Sequence, residues 1–497
     1  TIIRNMKLCI LCGRCVRMCD DIQCASAIAI TGRGQKSIVE PFSGGVFDCE
    51  YCGNCLPACP VGALISKLHK HTYRPWYIDK NIGTICSHCG VGCYMIAQMR
   101  GDSLIRVWPE YGKGTNKGIL CRKGMFDYEY IGRHDRLRKP LIRRGDKLEE
   151  ASHQEAIDYI SEKLKYFKSE EGPHAIAGII SPKCSNEDAY AFQKFMRTVI
   201  RTNNVDSIAG LFFAQALTFF ERIFGKGATS NRILDIANAD GVFVIGGDPF
   251  AENPVLGIQI RRAAKKGKAG VISIGAADGL KRFITAGLNP AKGTQNSRRA
   301  MLEVPLEDAA KCCGISLVDI NKAVEELMLM TNPVVVVDRE VIDCDNPQAG
   351  LLLVAALSYV INAKIYLLSP YPNEHGIIDT GCLHGLLPGG KSVNVENFKK
   401  QYAEISGGSV PASAGLSITD ILIGCVSGNI KTLYIMGEDA LAGFPDKKLV
   451  KDALSKIEFL VVHDIFPSEV SQHAHVVMPS LSWLEKDGTQ TNIEGVV

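Results

Sequence analysis

The sequence predicts a multidomain α/β protein whose main body follows two small cysteine-rich modules. Three observations lead there. Thirteen of the nineteen cysteines lie between Cys9 and Cys121. Two runs of alternating apolar residues, Tyr94–Arg100 and Leu104–Trp108, flank Gly101-Asp102 and mark a hairpin. From about residue 136 short apolar strands alternate with helical patterns, which is the signature of parallel sheets layered with helices. A chain of 497 residues has room for several domains. Its 46% hydrophobic and 22% charged content is that of folded rather than disordered chains.

Twelve of those cysteines fall into three sets of four: Cys9, Cys12, Cys15 and Cys19; Cys49, Cys52, Cys55 and Cys59, followed by Pro60; and Cys86, Cys89 and Cys93, with Cys121 farther on. A CxxCxxC loop wraps one face of an iron–sulfur cubane and supplies three thiolates. In two-cluster ferredoxins the fourth comes from the other motif. Cys9, Cys12, Cys15 and Cys59 are therefore assigned to one 4Fe–4S cluster, and Cys49, Cys52, Cys55 and Cys19 to a second. Cys86, Cys89, Cys93 and Cys121 close a third. A disulfide framework suits small secreted domains, and structural zinc favours paired CxxC knuckles. Cys24 fits no set and reads as a buried thiol.

In chain order, residues 1–78 form a two-cluster ferredoxin module of α+β type. Its short strands are expected near Ala27–Ile30 and Gly62–Ser66, with a loop or hairpin over Thr31–Gly45. Residues 79–135 form a small β-rich domain around the third cluster. Residues 136–205 and 335–497 make one α/β domain, with 206–334 inserted as another. Glu155–Phe167 reads as a helix. Ser185 caps a second, with Asp188 three residues on and Ala189, Phe192, Phe195, Met196 and Val199 on one face. Strands are expected at Ala175–Ile180, Val242–Ile245, Val271–Ile274, Val334–Val337, Ile365–Leu368, Leu433–Met436 and Phe459–Val462, with Asn253–Ala264 a helix among them. Gly246-Gly247-Asp248-Pro249 sits between a strand and a helix, where open α/β sheets take phosphate-bearing ligands; an ordinary glycine turn explains it equally well. Cys184, Cys312, Cys313, Cys344, Cys382 and Cys425 show no ligand spacing and read as buried thiols. His473 and His475 would share one face of a strand, without a third ligand.

Residues 1–145 carry 22 Lys and Arg against 11 Asp and Glu in a chain whose net charge is only +3. Nucleic acid would exploit such a patch, but thiolate-ligated clusters are anions and need cations nearby. No nucleic-acid partner is expected. No apolar run reaches the length of a membrane span; Leu351–Ile361 is the longest approach. The many thiols suit a reducing, anaerobic cytoplasm.

The motifs Cys9-Ile-Leu-Cys-Gly-Arg-Cys15, Cys86-Ser-His-Cys-Gly-Val-Gly-Cys93, Leu120-Cys-Arg-Lys-Gly124, Gly246-Gly-Asp-Pro-Phe-Ala-Glu-Asn-Pro254, His375-Gly-Ile-Ile-Asp-Thr-Gly381 and Glu485-Lys-Asp-Gly-Thr489 carry a resemblance over almost the whole chain. It resembles the molybdopterin oxidoreductases, especially the catalytic subunit of NAD-linked formate dehydrogenases and the large iron–sulfur subunit of NADH:quinone oxidoreductase. The resemblance implies molybdopterin-oxidoreductase-like α/β domains. It also implies that Lys123 lies between the third cluster and a pterin site; on its own, Lys123 reads as a solvated cation or as a charge that tunes the cluster. Active formate dehydrogenases carry a metal-binding Cys or selenocysteine followed by His, shortly after a stretch like Asn203-Asn-Val-Asp206. Here those positions are Phe212 and Phe213, which neither ligate molybdenum nor move protons. An acidic pterin-holding turn is replaced by Ser273-Ile-Gly-Ala-Ala-Asp278, and the chain stops at Val497, where the family enters its last pterin-binding domain.

The expected function is an iron–sulfur electron-relay subunit with three 4Fe–4S clusters, without molybdopterin guanine dinucleotide and without catalytic residues of its own. Its expected partners are a flavin/NADH-binding subunit, a thioredoxin-like 2Fe–2S subunit or a ferredoxin. The alternative is a catalytic formate dehydrogenase subunit whose metal lacks a protein ligand or uses Cys184.

Overall fold

The computed structural model describes residues 2–41, 47–68, 70, 73–265, 269–274, 329–342 and 347–497. The chain divides into two compact units, Thr1–Tyr128 with Ala216–Pro370, and Glu129–Gln215 with Tyr371–Val497.

The first unit holds both cysteine-rich modules and one α/β layer. In the ferredoxin module, Ile2–Arg4 pairs antiparallel with Leu64–Ser66 and Ala29–Thr31 pairs with Ile38–Glu40. The Gly- and polar-rich segment after Ile30 thus makes a hairpin. Next comes an antiparallel sheet of Lys80–Ile85, Tyr94–Arg100 and Ser103–Trp108. Its hairpin turns at Gly101, whose positive φ of 56° glycine adopts without strain. The α/β layer is a four-stranded parallel sheet in the order Gly270–Ile274, Gly241–Ile245, Pro333–Val337, Lys364–Leu367. The middle strands are runs such as Gly-Val-Phe-Val-Ile and Pro-Val-Val-Val-Val, buried along their whole length. Continuous apolarity is what a sheet covered on both faces requires. Helix Pro254–Lys265 buries Val255, Leu256, Ile258 and Ile260.

The second unit is built on a seven-stranded sheet in the order Val205–Ser207, Ile176–Ile180, Thr432–Met436, Phe459–Asp464, Val476–Pro479, Leu141–Arg144, Lys147–Glu150. The first five strands run parallel, and a hairpin adds the last two antiparallel. Helix His153–Glu170 is started by Ser152, whose hydroxyl accepts from Glu155 N, and buries Ala156, Ile160, Leu164 and Phe167 along one stripe. Ser185 and Asp188 form a reciprocal capping box on helix Asn186–Lys194.

Three expectations are corrected. Pro333–Val337 pairs with Gly241–Ile245, and Lys364–Leu367 pairs with Pro333–Val337, inside the first unit. The segment separate from 129–215 and 371–497 is therefore 216–370, not 206–334, and the boundary at 334/335 would cut a sheet. An apolar strand run records burial but not which neighbour it pairs with. Val199 is exposed rather than on the buried face, because the helix widens into a π-helical stretch over Phe195–Ile200 and its facing drifts. His473 ends helix Glu469–His473, so it does not share a strand face with His475, whose Nδ1 accepts from Leu460 N.

Candidate metal centres

The third cysteine set is assembled by a sheet and a helix start. Cys86 follows strand Lys80–Ile85, and its N–H bonds to Cys93 O at 2.8 Å, closing the loop over Cys89. Gly92, at φ 62°, lets the loop turn. Cys121 caps helix Arg122–Phe126, its Sγ accepting from Gly124 N at 3.5 Å. These four cysteines line one small cavity together with Lys123, Pro254 and Val255. Burial pushes the Cys89 thiol up to about 11, and the Cys86 and Cys93 thiols well above the ordinary cysteine value. The Lys123 charge works against that rise at Cys86, Cys89 and Cys121. Lys123 Nζ also donates to Ala251 O at 3.3 Å.

The first two sets repeat one backbone design. Leu11 and Tyr51 both have φ 55°, and Gly13 and Gly53 lie at 72° and 79°. Leu11 N donates to Cys9 Sγ at 3.4 Å, and Tyr51 N to Cys49 Sγ at 3.3 Å. Cys59, from the second motif, lines a cavity with Cys9, Cys12 and Cys15 of the first. Burial raises the Cys49 and Cys52 thiols, the latter to about 12, and the charge of nearby Cys19 adds to both. Cys19 Sγ accepts from Ala27 N at 3.3 Å. The cysteines are thus brought together as Cys9, Cys12, Cys15 and Cys59; Cys19, Cys49, Cys52 and Cys55; and Cys86, Cys89, Cys93 and Cys121. Among the described residues no group of His, Cys, Asp and Glu forms a site for a single ion. Soft sulfur donors, N–H groups aimed at sulfur and cysteines ringing a cavity suit a multi-atom iron–sulfur cluster instead.

Cys24 is buried, with Sγ 3.7 Å from Asp21 O. Cys184, Cys382 and Cys425 are also buried. Cys312, Cys313, Cys344 and Ala276–Asp278 lie outside the described residues.

Sequence reasoning missed the polar residues that fix these loops. Asn54 is 1% exposed. Its Nδ2 donates to Gln23 Oε1 at 2.9 Å and to Leu120 O at 2.7 Å, and its Oδ1 accepts from Leu120 N at 3.2 Å. Gln23 Nε2 donates to Glu50 Oε2, and Glu50 pairs with Arg261. One network therefore ties the ferredoxin module to the Cys121 loop and to helix Pro254–Lys265. Asn253, buried, exchanges two hydrogen bonds with the Ser369 backbone and reaches Cys89.

At the carboxyl end of the central parallel strand, Gly246 and Gly247 have φ 70° and 57°. A Cβ on Gly247 would stand 2.3 Å from Asp338 Oδ2. The chain leaves the central strand toward Gly270–Ile274 and returns on its other side, so the ligand crevice of an open sheet falls here. Here it holds a carboxyl pair. Burial and the charge of Asp338 push Glu252 up to about 7. Asp338 Oδ1 and Glu252 Oε2 have no hydrogen-bond partner among the described residues.

Residues 136–289 and 379–497 match the molybdopterin oxidoreductase family. The chain belongs to that family. Residues 1–65 match the ferredoxin-like domain of NADH-quinone oxidoreductase subunit 3, and 79–133 match the molybdopterin oxidoreductase Fe4S4 domain. The chain is 31% identical to a NADH-quinone oxidoreductase subunit of Rhizobium meliloti, over 99% of this chain and 60% of that protein. It is 32% identical to the alpha subunit of the NADPH-Fe(3+) oxidoreductase of Geobacter sulfurreducens, over 98% and 61%. It is also 32% identical to the alpha subunit of F420-dependent formate dehydrogenase 1 of Methanococcus maripaludis, over 83% and 66%. It spans about 60% of the length of the first two. The fold is that of acetylene hydratase from Pelobacter acetylenicus, with a TM-score of 0.61 and 16% identity over 84% of this chain and 65% of that one.

The second unit of this family member holds Phe212 and Phe213. Phe212 and Phe213 are buried, and Phe213 meets His375 edge-on at 6.2 Å. Asn203-Asn-Val-Asp206 acts as a fastener. Asn203 Nδ2 donates to Pro411 O and Ser413 O, Asn204 Oδ1 accepts from Leu416 N, and Asp206 Oδ2 accepts from Ile418 N. Arg197, fully buried, donates to Asn203 Oδ1, Gln193 Oε1, Gly381 O and Leu383 O. Burial pushes the Cys184 thiol up to about 12, and its Sγ lies 3.7 Å from Met436 O. In the segment 485–489, Glu485 pairs with Arg136, Lys486 with Asp188, and Thr489 with Glu187.

Proposed function

We propose that this chain is an iron–sulfur electron-relay subunit of a multi-subunit oxidoreductase. The observation that carries this reading is the grouping of twelve cysteines, four by four, within one unit. When bound, 4Fe–4S clusters accept and release single electrons without proton chemistry. Cys9, Cys12, Cys15 and Cys59 would hold one, Cys49, Cys52, Cys55 and Cys19 a second, and Cys86, Cys89, Cys93 and Cys121 a third. The chain's own contribution is to exclude water from the buried sulfurs, aim N–H groups at them, and set a cation, Lys123, beside the third set. The buried Phe212–Phe213 pair supports the absence of molybdopterin guanine dinucleotide chemistry. The relatives named as subunits of NADH-quinone and NADPH-Fe(3+) oxidoreductases support partners in a hetero-oligomeric complex; the partners proposed are a flavin/NADH-binding subunit, a thioredoxin-like 2Fe–2S subunit or a ferredoxin, and the compartment proposed is the cytoplasm. Among the described residues no helix is long and apolar enough to cross a membrane.

Metal analysis of anaerobically purified protein tests the proposal. About twelve iron atoms per chain and no molybdenum or tungsten are expected. One molybdenum or tungsten per chain would overturn it. The formate dehydrogenase relative favours a second reading, a catalytic subunit. That reading requires formate-dependent dye reduction by metal-replete protein.

A further inference from the structure

The two CxxCxxC loops share a backbone design but not surroundings. The second is packed inward: Asn54 is buried, and a Cβ on Gly53 would stand 2.7 Å from Met125 Cγ and from Phe126 Cζ. The first is left open. At the equivalent Gly13, the nearest side chain to a built Cβ is Ile30, at 3.7 Å. Cys12 is the one exposed cysteine among the described residues.

The surface around Cys12 is also distinctive in chemistry. Leu8 is 51% exposed, Ile10 62%, Leu11 38% and Ile30 46%. Contiguous exposed apolar residues mark interaction sites. From Asn5 to Arg17 there is no Asp or Glu, while Lys7, Arg14 and Arg17 are all exposed. Among the described residues none of these three forms an ion pair, and the nearby Asp20 is engaged by Lys265. The second loop carries Asp48 and Glu50 instead. An apolar centre with a purely cationic rim is complementary to a partner with an acidic rim, which speeds encounter and fixes orientation. A sulfur ligand at the surface would shorten the path for an electron crossing between proteins.

We propose that the open loop Met6–Arg17 is the docking face for a small acidic electron-carrier protein, with Cys12 at the point of closest approach. On contact one electron leaves the reduced carrier and one is gained by this chain, or the reverse. The inference rests on the electron-relay reading and adds to it which of three sets faces the carrier.

The test uses the full iron-loaded chain and a small acidic ferredoxin as probe. Affinity is measured by anaerobic interferometry, and electron exchange by stopped-flow absorbance. Lys7→Glu with Arg14→Glu, and separately Ile10→Ser, are compared with the unmodified chain. The charge reversal is expected to weaken binding at least about tenfold at low salt, with the difference shrinking at high salt. Ile10→Ser is expected to weaken binding at both. Iron content and reduction by a small viologen dye stay unchanged in both variants. A chain that binds no iron overturns the electron-relay reading itself. An iron-loaded chain whose ferredoxin affinity ignores both variants overturns only the docking face. That same result follows if a second copy or another part of the chain covers the loop.

Discussion

Asn54→Ala should loosen the unit that carries all three cysteine sets. The substitution removes three hydrogen bonds and leaves Gln23 Oε1, Leu120 O and Leu120 N without their partner. Gln23 and Leu120 are buried, at 2% and 0% exposure, so water does not readily replace it. A buried polar group stranded in this way costs about 1–3 kcal/mol. Gln23 Nε2 keeps its bond to Glu50, which holds the side chain in place but leaves Oε1 without a donor. At the low end of that range, three stranded groups give a total of about 3–4 kcal/mol. Because Leu120 precedes Cys121, the loss should be local as well as global. The assay is anaerobic denaturation followed by visible absorbance for iron retention, with amide exchange read on residues 116–126. Exchange there should accelerate by about two orders of magnitude, and iron should leave at lower denaturant. Unchanged exchange with full iron retention would refute the claim that Asn54 couples the ferredoxin module to the Cys121 loop.

Arg197→Met should destabilise the second unit by about 2–4 kcal/mol, because Asn203 Oδ1 and Gly381 O lose their donor, while Gln193 Oε1 keeps Tyr402 OH and Leu383 O keeps Leu386 N; thermal unfolding checks this, and a shift under about 1 kcal/mol would contradict it. Burial acts to raise the Glu485 carboxyl, but the two-pronged Arg136 contact and the Ser482 N–H and O–H outweigh it and hold the group at about 2. A lowered carboxylate stabilises the fold above its unfolded value near 4.5, and that contribution disappears as pH falls toward 2. Discounted for exposure it amounts to about 1–2 kcal/mol, and Glu485→Gln should speed amide exchange of residues 480–490 at pH 7 but not at pH 2. Glu252 has the opposite sign: burial and Asp338 raise it to about 7, so its contribution is complete below about 4.5 and lost as pH rises through 7. Glu252→Gln should therefore raise Tm more at pH 8 than at pH 5; a uniform shift would show that the pair does not titrate there.

What the sequence determined alone is local. The CxxCxxC spacing fixes which three sulfurs a loop can gather, since a few residues span only a few ångströms. Runs such as Ile-Ala-Gly-Ile-Ile at 176–180 and Val-Val-Val-Val at 334–337 became buried strands because burial on both faces demands unbroken apolarity. The Ser185–Asp188 cap was legible because both partners lie within one turn. The rest depends on residues distant in sequence. Pro333–Val337 pairs with Gly241–Ile245 across some ninety positions, and nothing in either run distinguishes that neighbour from the strands of the other sheet. Asn54 looks like any polar loop residue until Leu120 is brought against it. Cys12 and Cys52 occupy equal places in equal motifs, yet only the packing around Asn54 and Gly53 leaves one exposed and the other half-buried. Spacing specifies chemistry along the chain, while exposure and charge environment are set by whatever the fold carries in from elsewhere.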